Sequence, residues 1–79
     1  MYLGGENMEE IKAIMAGNVW KVLVSVGDTV EEDQDIVILE SMKMEIPIAA
    51  EEAGTIKEIK VAEGDFVNEG DCLAIIETN

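Results

Sequence analysis

Val24-Ser25-Val26-Gly27-Asp28-Thr29-Val30 returns thirty-seven residues later as Val61-Ala62-Glu63-Gly64-Asp65-Phe66-Val67, and this echo decides the fold. From Ala16 onward the chain lies on itself at that shift without a gap. Ala16-Gly17 falls on Ala53-Gly54, Glu32 on Glu69 and Glu40 on Glu77. Apolar type is kept at Val19 and Ile56, Val22 and Ile59, Ile36 and Leu73, Ile38 and Ile75, and Leu39 and Ile76. A repeat of this kind takes precedence over any other fold signal. Each copy holds runs rich in β-branched residues, Val19 to Val24 and Ile56 to Val61, stopped by a Gly-Asp turn. The apolar positions 19, 22, 24 and 56, 59, 61 are spaced three and then two apart. A strand of period two keeps those on one face only with an extra residue, which predicts a β-bulge near Trp20 and Lys57. No segment holds the three-four spacing of a helix beyond two turns. The expectation is an all-β flattened barrel or sandwich, its two copies packed face to face about a pseudo-two-fold axis so that no sheet edge is left bare.

The boundaries follow from the repeat. Residues 1–10, with Gly4-Gly5 and Glu6, Glu9 and Glu10, read as a flexible leader; residues 11–79 form one domain, opened by a short strand over Ile11 to Met15. Seventy-nine residues are near the lower limit for a single core.

Composition removes several function classes. Five lysines oppose eighteen acids, a net charge of −13, with no arginine and no histidine. Phosphate backbones and anionic lipid repel such a surface, so neither nucleic acid nor membrane is expected as a partner, and protein partners should be neutral or basic. A hydrophobic fraction of 48% argues for a folded chain. The single cysteine, Cys72, has no second cysteine or histidine to share a zinc ion or a disulfide with and reads as a small buried apolar residue. No apolar run approaches the roughly 18 residues of a membrane span, and the start lacks the basic and apolar regions of a secretory signal, which suggests a cytoplasmic protein. Without histidine the commonest general base is missing. Ser25 and Ser41 have no basic partner nearby, and the paired glutamates read as solvated faces, so the isolated chain is expected not to be an enzyme.

One stretch obeys a different rule. Glu40-Ser41-Met42-Lys43-Met44-Glu45 lies between the apolar run Ile36 to Leu39 and the alternation Met44, Ile46, Ile48, as the tip of a hairpin would. Tight hairpins usually close with Asn-Gly or Asp-Gly, yet the candidates here are Ser41, Met42, Lys43 and Met44. Broken local rules cluster at functional positions. Taken alone, Met-Lys-Met could equally be a solvated lysine between two gap-filling methionines. Its place in the repeat weighs against that: residues 41 to 44 map beyond the chain's end, so the pseudo-symmetry puts Lys43 at one pole and both termini near the other. A lysine there is open to covalent modification, and a long group joined to it would reach successive sites at high effective concentration.

This hexapeptide, set in a duplicated Gly-x-Val, Gly-Asp-x-Val and Ile-Leu-Glu framework, resembles the biotin carboxyl carrier family over about Ile11 to Glu77. The resemblance implies the biotinyl/lipoyl hammerhead of two four-stranded antiparallel sheets. It implies that Lys43 is biotinylated by a biotin protein ligase that reads Met42 and Met44, with Glu40, Ser41 and Glu45 as hairpin context. It further implies that carboxybiotin passes from a biotin carboxylase, which uses ATP and bicarbonate, to a carboxyltransferase. No metal and no catalytic residue of its own is implied, and the isolated chain is expected to be a monomer. Lipoyl domains usually carry Asp-Lys-Ala or a similar sequence at this place, so lipoate, or either group, is the alternative cofactor. A third reading, an unmodified protein-binding β-domain like those of efflux-pump adaptors, would use Trp20 as its anchor, since Lys57 at the equivalent place suggests that Trp20 is not fully buried.

Two departures from the family pattern stand out. Asp33 occupies the place of Gly70, where the family usually has glycine, and the gapless repeat leaves no room for the thumb loop of bacterial acetyl-CoA carboxylase carriers. The chain therefore looks like the thumbless biotinyl domains or the small free-standing attachment proteins.

Overall fold

A computed structural model describes residues 7–78, which form eight strands and no helix. These are β1 (Asn7–Lys12), β2 (Gly17–Val22), β3 (Thr29–Val30), β4 (Asp35–Ser41), β5 (Met44–Ala49), β6 (Gly54–Ile59), β7 (Phe66–Val67) and β8 (Cys72–Thr78). The thirty-seven-residue shift carries β1–β4 onto β5–β8 residue for residue. Two antiparallel four-stranded sheets result, ordered β1-β8-β6-β3 and β5-β4-β2-β7. Here the structure differs from two copies simply stacked: each sheet takes two strands from each copy. The hydrogen bonds that stitch the sheets exchange in the same way. Val19 N–H donates to the Asp65 carbonyl at 2.7 Å, and Ile56 N–H to the Asp28 carbonyl at 2.8 Å. Gly27 N–H donates to Ile56, and Gly64 N–H to Val19, both at 2.8 Å. Neither copy alone can complete a sheet, so the buried backbone groups are satisfied only when both are present.

The expected bulges are there. The ladder of β2 with β4 slips between Val19 and Lys21, and that of β6 with β8 between Ile56 and Glu58. Val19 and Ile56 thereby face a common core with Val30, Ile36, Val37, Leu39 and Leu73, all almost fully buried. Burial of such side chains is worth about 1.5–3 kcal/mol each, the main favourable contribution in so small a domain. The Gly-Asp turns close through the aspartates: Asp28 Oδ2 accepts from Ser25 N–H at 2.8 Å and Asp65 Oδ2 from Ala62 N–H at 2.9 Å. Asp33 takes the left-handed conformation, φ 68°, where its counterpart Gly70 has φ 89°. Aspartate is among the few side chains that tolerate this region, so the turn survives the departure from glycine.

The first strand lies earlier than Ile11–Met15. Asn7–Lys12 pairs with β8 from Asn7↔Thr78 to Lys12↔Cys72. The expected leader is therefore corrected over residues 7–10, which are sheet; its remainder, residues 1–6, lies outside the described residues, as does Asn79. The acidic side chains Glu9 and Glu10 hid this strand. Their backbones nevertheless cover the edge of β8, which would otherwise present unpaired N–H and C=O groups. At the other end the chain leaves the ladder after Lys12, with Ala13 N–H donating to Asp71 at 2.9 Å and Gly70 N–H to Ala13 at 2.8 Å.

The topology fixes two poles. β2 begins beside the β4–β5 hairpin, Asn18 opposite Glu40, and runs away from it towards β3. β3 pairs with Gly54 and Thr55, and Thr55 faces Glu77. The hairpin tip and the Asn7–Thr78 pair therefore occupy opposite ends of the domain. Thr78 Oγ1 donates to the Asn7 carbonyl at 3.1 Å, tying the second end together.

Candidate functional site

β4 is an inner strand with β5 on one side and β2 on the other, and its side chains Ile36, Val37 and Leu39 are buried. On the inward face Val37 is paired with Ile48 and Leu39 with Ile46; on the outward face Ile38 is paired with Pro47 and Glu40 with Glu45. The last pair is Ser41↔Met44, which leaves a two-residue turn of Met42 and Lys43. Both turn residues are left-handed, with φ 52° and 68°. Positive φ at both central residues is the requirement of the hairpin turn whose twist matches antiparallel strands. For residues with a Cβ, this conformation costs about 1–2 kcal/mol each. The buried anchors of β4 and β5 are what hold the tip in it.

The strain delivers display. Met42 is 89% and Met44 61% exposed. Lys43 between them is exposed, while Ser41 is half-buried at the foot of the turn. The ion pairs among the described residues engage Lys12, Lys57 and Lys60, and Lys21 lies 5.5 Å from the Trp20 ring centroid; Lys43 is in none of these contacts. Glu40 and Glu45 face each other across the strands directly below the tip. Like charges so placed destabilise slightly and surround the hairpin base with negative potential. The arrangement offers a primary amine at an apex, flanked by two apolar side chains, above a facing pair of carboxylates.

The other expectations also find their places. Trp20 is 41% exposed, as its equivalence to Lys57 suggested. Cys72 is half-buried rather than buried, its thiol donating to the Ala74 carbonyl at 3.5 Å. Burial, and after it the Glu10 charge, push the thiol upward and keep it protonated. No group of three potential metal ligands occurs among the described residues. Reading the repeat for its likenesses overlooked one feature: the two sheets differ on their outer faces. The same alignment, read for its differences, would have exposed it.

The family described as "Biotin-requiring enzyme" matches residues 9–76. The chain belongs to this biotin/lipoyl-attachment family. A biotin/lipoyl attachment protein of Bacillus subtilis is 64% identical over 59 residues, covering 75% of this chain and 81% of that one. A biotin carboxyl carrier protein of Streptococcus mutans is 55% identical over 64 residues, 81% of this chain but 49% of that one. Among solved structures, Kluyveromyces lactis urea carboxylase superposes with a TM-score of 0.84 at 33% identity, covering 96% of this chain and 6% of that one. The chain thus spans about half of the streptococcal carrier and a small part of the carboxylase. It is a carrier domain for covalently bound biotin rather than a catalyst.

Proposed function

We propose that Lys43 is the residue that takes biotin. The observation that carries this reading is the hairpin turn itself: an exposed lysine in a left-handed conformation, outside every ion pair among the described residues and between two exposed methionines. Such an amine fits the group. A biotin protein ligase would use ATP to activate the carboxyl of biotin, and Nζ, having given up a proton, would displace the activating nucleotide to form an amide. This removes the lysine's positive charge, and Lys43 is in no ion pair among the described residues that the change would break. Met42 and Met44 supply a soft apolar surface for the ligase to grip, and Glu40, Ser41 and Glu45 set the base of the turn.

Once attached, biotin supplies a ureido nitrogen able to carry a carboxyl group. This chain's part is to hold the tether on a rigid apex, so that one small domain serves a biotin carboxylase and then a carboxyltransferase at high effective concentration. The test is intact-mass analysis after co-expression with a biotin protein ligase, with Lys43→Arg alongside. A single biotin adduct on the parent chain and none on the variant is expected; an adduct that survives in the variant sinks the assignment.

A second reading has one specific support, the Bacillus subtilis relative named for both biotin and lipoyl attachment. Met42→Asp should then raise lipoylation and lower biotinylation. Equal rates of each in parent and variant would contradict selection by the flanking residue.

A further inference from the structure

The two sheets share a fold but not an outer face. On the sheet that carries the hairpin, outward residues are fixed by the pairings Glu45–Glu40–Asn18–Phe66 and Pro47–Ile38–Lys21. Trp20, the extra residue of the bulge, is exposed beside Lys21. Each strand thus contributes one outward apolar side chain: Pro47 from β5, Ile38 from β4, Trp20 from β2 and Phe66 from β7. Phe66 is 63% exposed, and it and Trp20 are diagonal neighbours, close enough for aromatic side chains to form one surface. The pseudo-symmetric positions on the other sheet are Glu10, Ile75, Lys57 and Thr29. There Lys57 pairs with Glu77 at 3.1 Å. Beyond β2 the same bias continues, with exposed Leu23 and Val26 where the second copy has Lys60 and Glu63. The fold does not require the apolar choice at Pro47, Trp20 or Phe66, because the equivalent strands of the other sheet carry Glu10, Lys57 and Thr29 there; Ile38 alone has an apolar counterpart, Ile75.

We propose that Pro47, Ile38, Trp20 and Phe66 form a docking stripe for the biotin carboxylase, on a surface of that enzyme with an apolar centre and basic rim. The proposal rests on the carrier reading above and assigns the surface by which one of its partners holds the domain. Charge selects the occupant. At −13 a second copy of this chain is repelled, and Glu40 and Glu45 flank the stripe on the same face. An enzyme that binds ATP and bicarbonate must hold anions, so cations around its active-site mouth complement this carrier. Geometry agrees. The ligase needs Nζ itself and must meet the tip, whereas a partner that handles a group at the end of a long arm can hold the domain from its side. Four strands span about 14 Å. A stripe of that width makes a small, weak interface, as suits a carrier that must leave.

The experiment transplants the other sheet's residues onto the hairpin sheet: Trp20→Lys with Phe66→Thr, side chains that the equivalent positions Lys57 and Thr29 already accommodate. Binding is measured by titration calorimetry against the biotin carboxylase of the same organism, with Lys43→Arg in both chains so that loading plays no part. The stripe predicts a Kd raised at least about tenfold by the double substitution. With biotinylated Lys43 chains, it predicts a matching rise in KM at unchanged kcat, and ligase modification at the parent rate. Should the double variant unfold, Phe66→Thr alone on the two-residue strand β7 is read, with a several-fold rise expected. A Kd changed less than twofold, a loss confined to the ligase or the carboxyltransferase, or self-association of the parent chain that the substitutions abolish would each overturn the proposal. Failure of biotin loading at Lys43 would instead strike the carrier reading and leave the Lys43→Arg binding result standing.

Discussion

The β4–β5 hairpin and the β8–β1 pair occupy equivalent places at opposite poles, yet one is closed by a strained two-residue turn and the other is where the described chain begins and ends. Ser41↔Met44 has its counterpart in Thr78↔Asn7. At the turns beside the sheets, left-handed positions go to Gly27, Gly64, Gly70 and Asp33, residues that bear the conformation at low cost. Only at the apex do methionine and lysine take it, so backbone strain is concentrated where side-chain identity is demanded by something other than folding. The poles differ in charge as well. Glu77 has Lys57 as its ion-pair partner, whereas Glu40 has Trp20 in that place and faces Glu45.

The contrast can be broken hardest where the poles are alike. A Cβ on Gly17 would sit 2.8 Å from the Glu40 carbonyl oxygen, and one on Gly54 would press still harder on that of Glu77. Both contacts are with backbone, which cannot swing aside. Gly54→Ala should therefore lower stability by about 1–3 kcal/mol in urea unfolding, and Gly17→Ala somewhat less. Equal stability of Gly54→Ala and the parent would show that the close approach of β6 to β8 is not required. Relief of strain at the apex should act in the opposite direction. Met42→Asn is expected to raise stability by about 1 kcal/mol while slowing biotinylation, since asparagine accepts positive φ but offers the ligase no apolar contact. A variant both less stable and fully modified would contradict the idea that strain and recognition meet in one residue.

Smaller effects sharpen the comparison. Trp20→Lys copies the Lys57 arrangement and should give Glu40 a cation, a gain of no more than about 0.5 kcal/mol that salt removes. A gain that persists in 1 M salt would point to packing instead. The smallest effect lies away from both poles, where β1 and the end of β5 approach. Glu9 is raised above the ordinary glutamate value by a hydrogen bond with the Glu52 carboxyl, then by the repulsion of Glu52 and Glu51. A carboxyl whose pKa is higher in the folded state loses stability as pH rises from its unfolded value through the folded one, so the penalty is present at neutral pH and absent in acid. Glu9→Gln should raise Tm slightly at pH 7, and the advantage should vanish as pH falls below the usual glutamate range. An advantage that grows in acid would invert the sign.

Much of this was legible in the chain because duplication reports geometry. The positions 19, 22, 24 and 56, 59, 61 gave both bulges, and the failure of Met42 and Lys43 to match any ordinary turn sequence marked the apex. Asp33 could be placed in a glycine's conformation from its alignment alone. The strand at Asn7–Lys12 was not legible, because β1 is an edge strand whose side chains are mostly exposed. Its residues are held by backbone hydrogen bonds, which leave no hydrophobic pattern, and Ile11 is its one buried apolar anchor. Nor could the repeat tell whether each copy forms its own sheet or shares strands with the other, since both arrangements satisfy the same periodicity. The difference rests on long-range pairs such as Val19 with Asp65, which local sequence does not encode.

The central claim is that the strained apex exists to offer one particular amine. Peptide mapping by tandem mass spectrometry, on the chain co-expressed with an active biotin protein ligase, tests it most directly. The whole adduct should lie on Lys43, with none on Lys12, Lys21, Lys57 or Lys60. Biotin distributed among those lysines, or an unmodified Lys43 beside a fully modified control carrier, would contradict it.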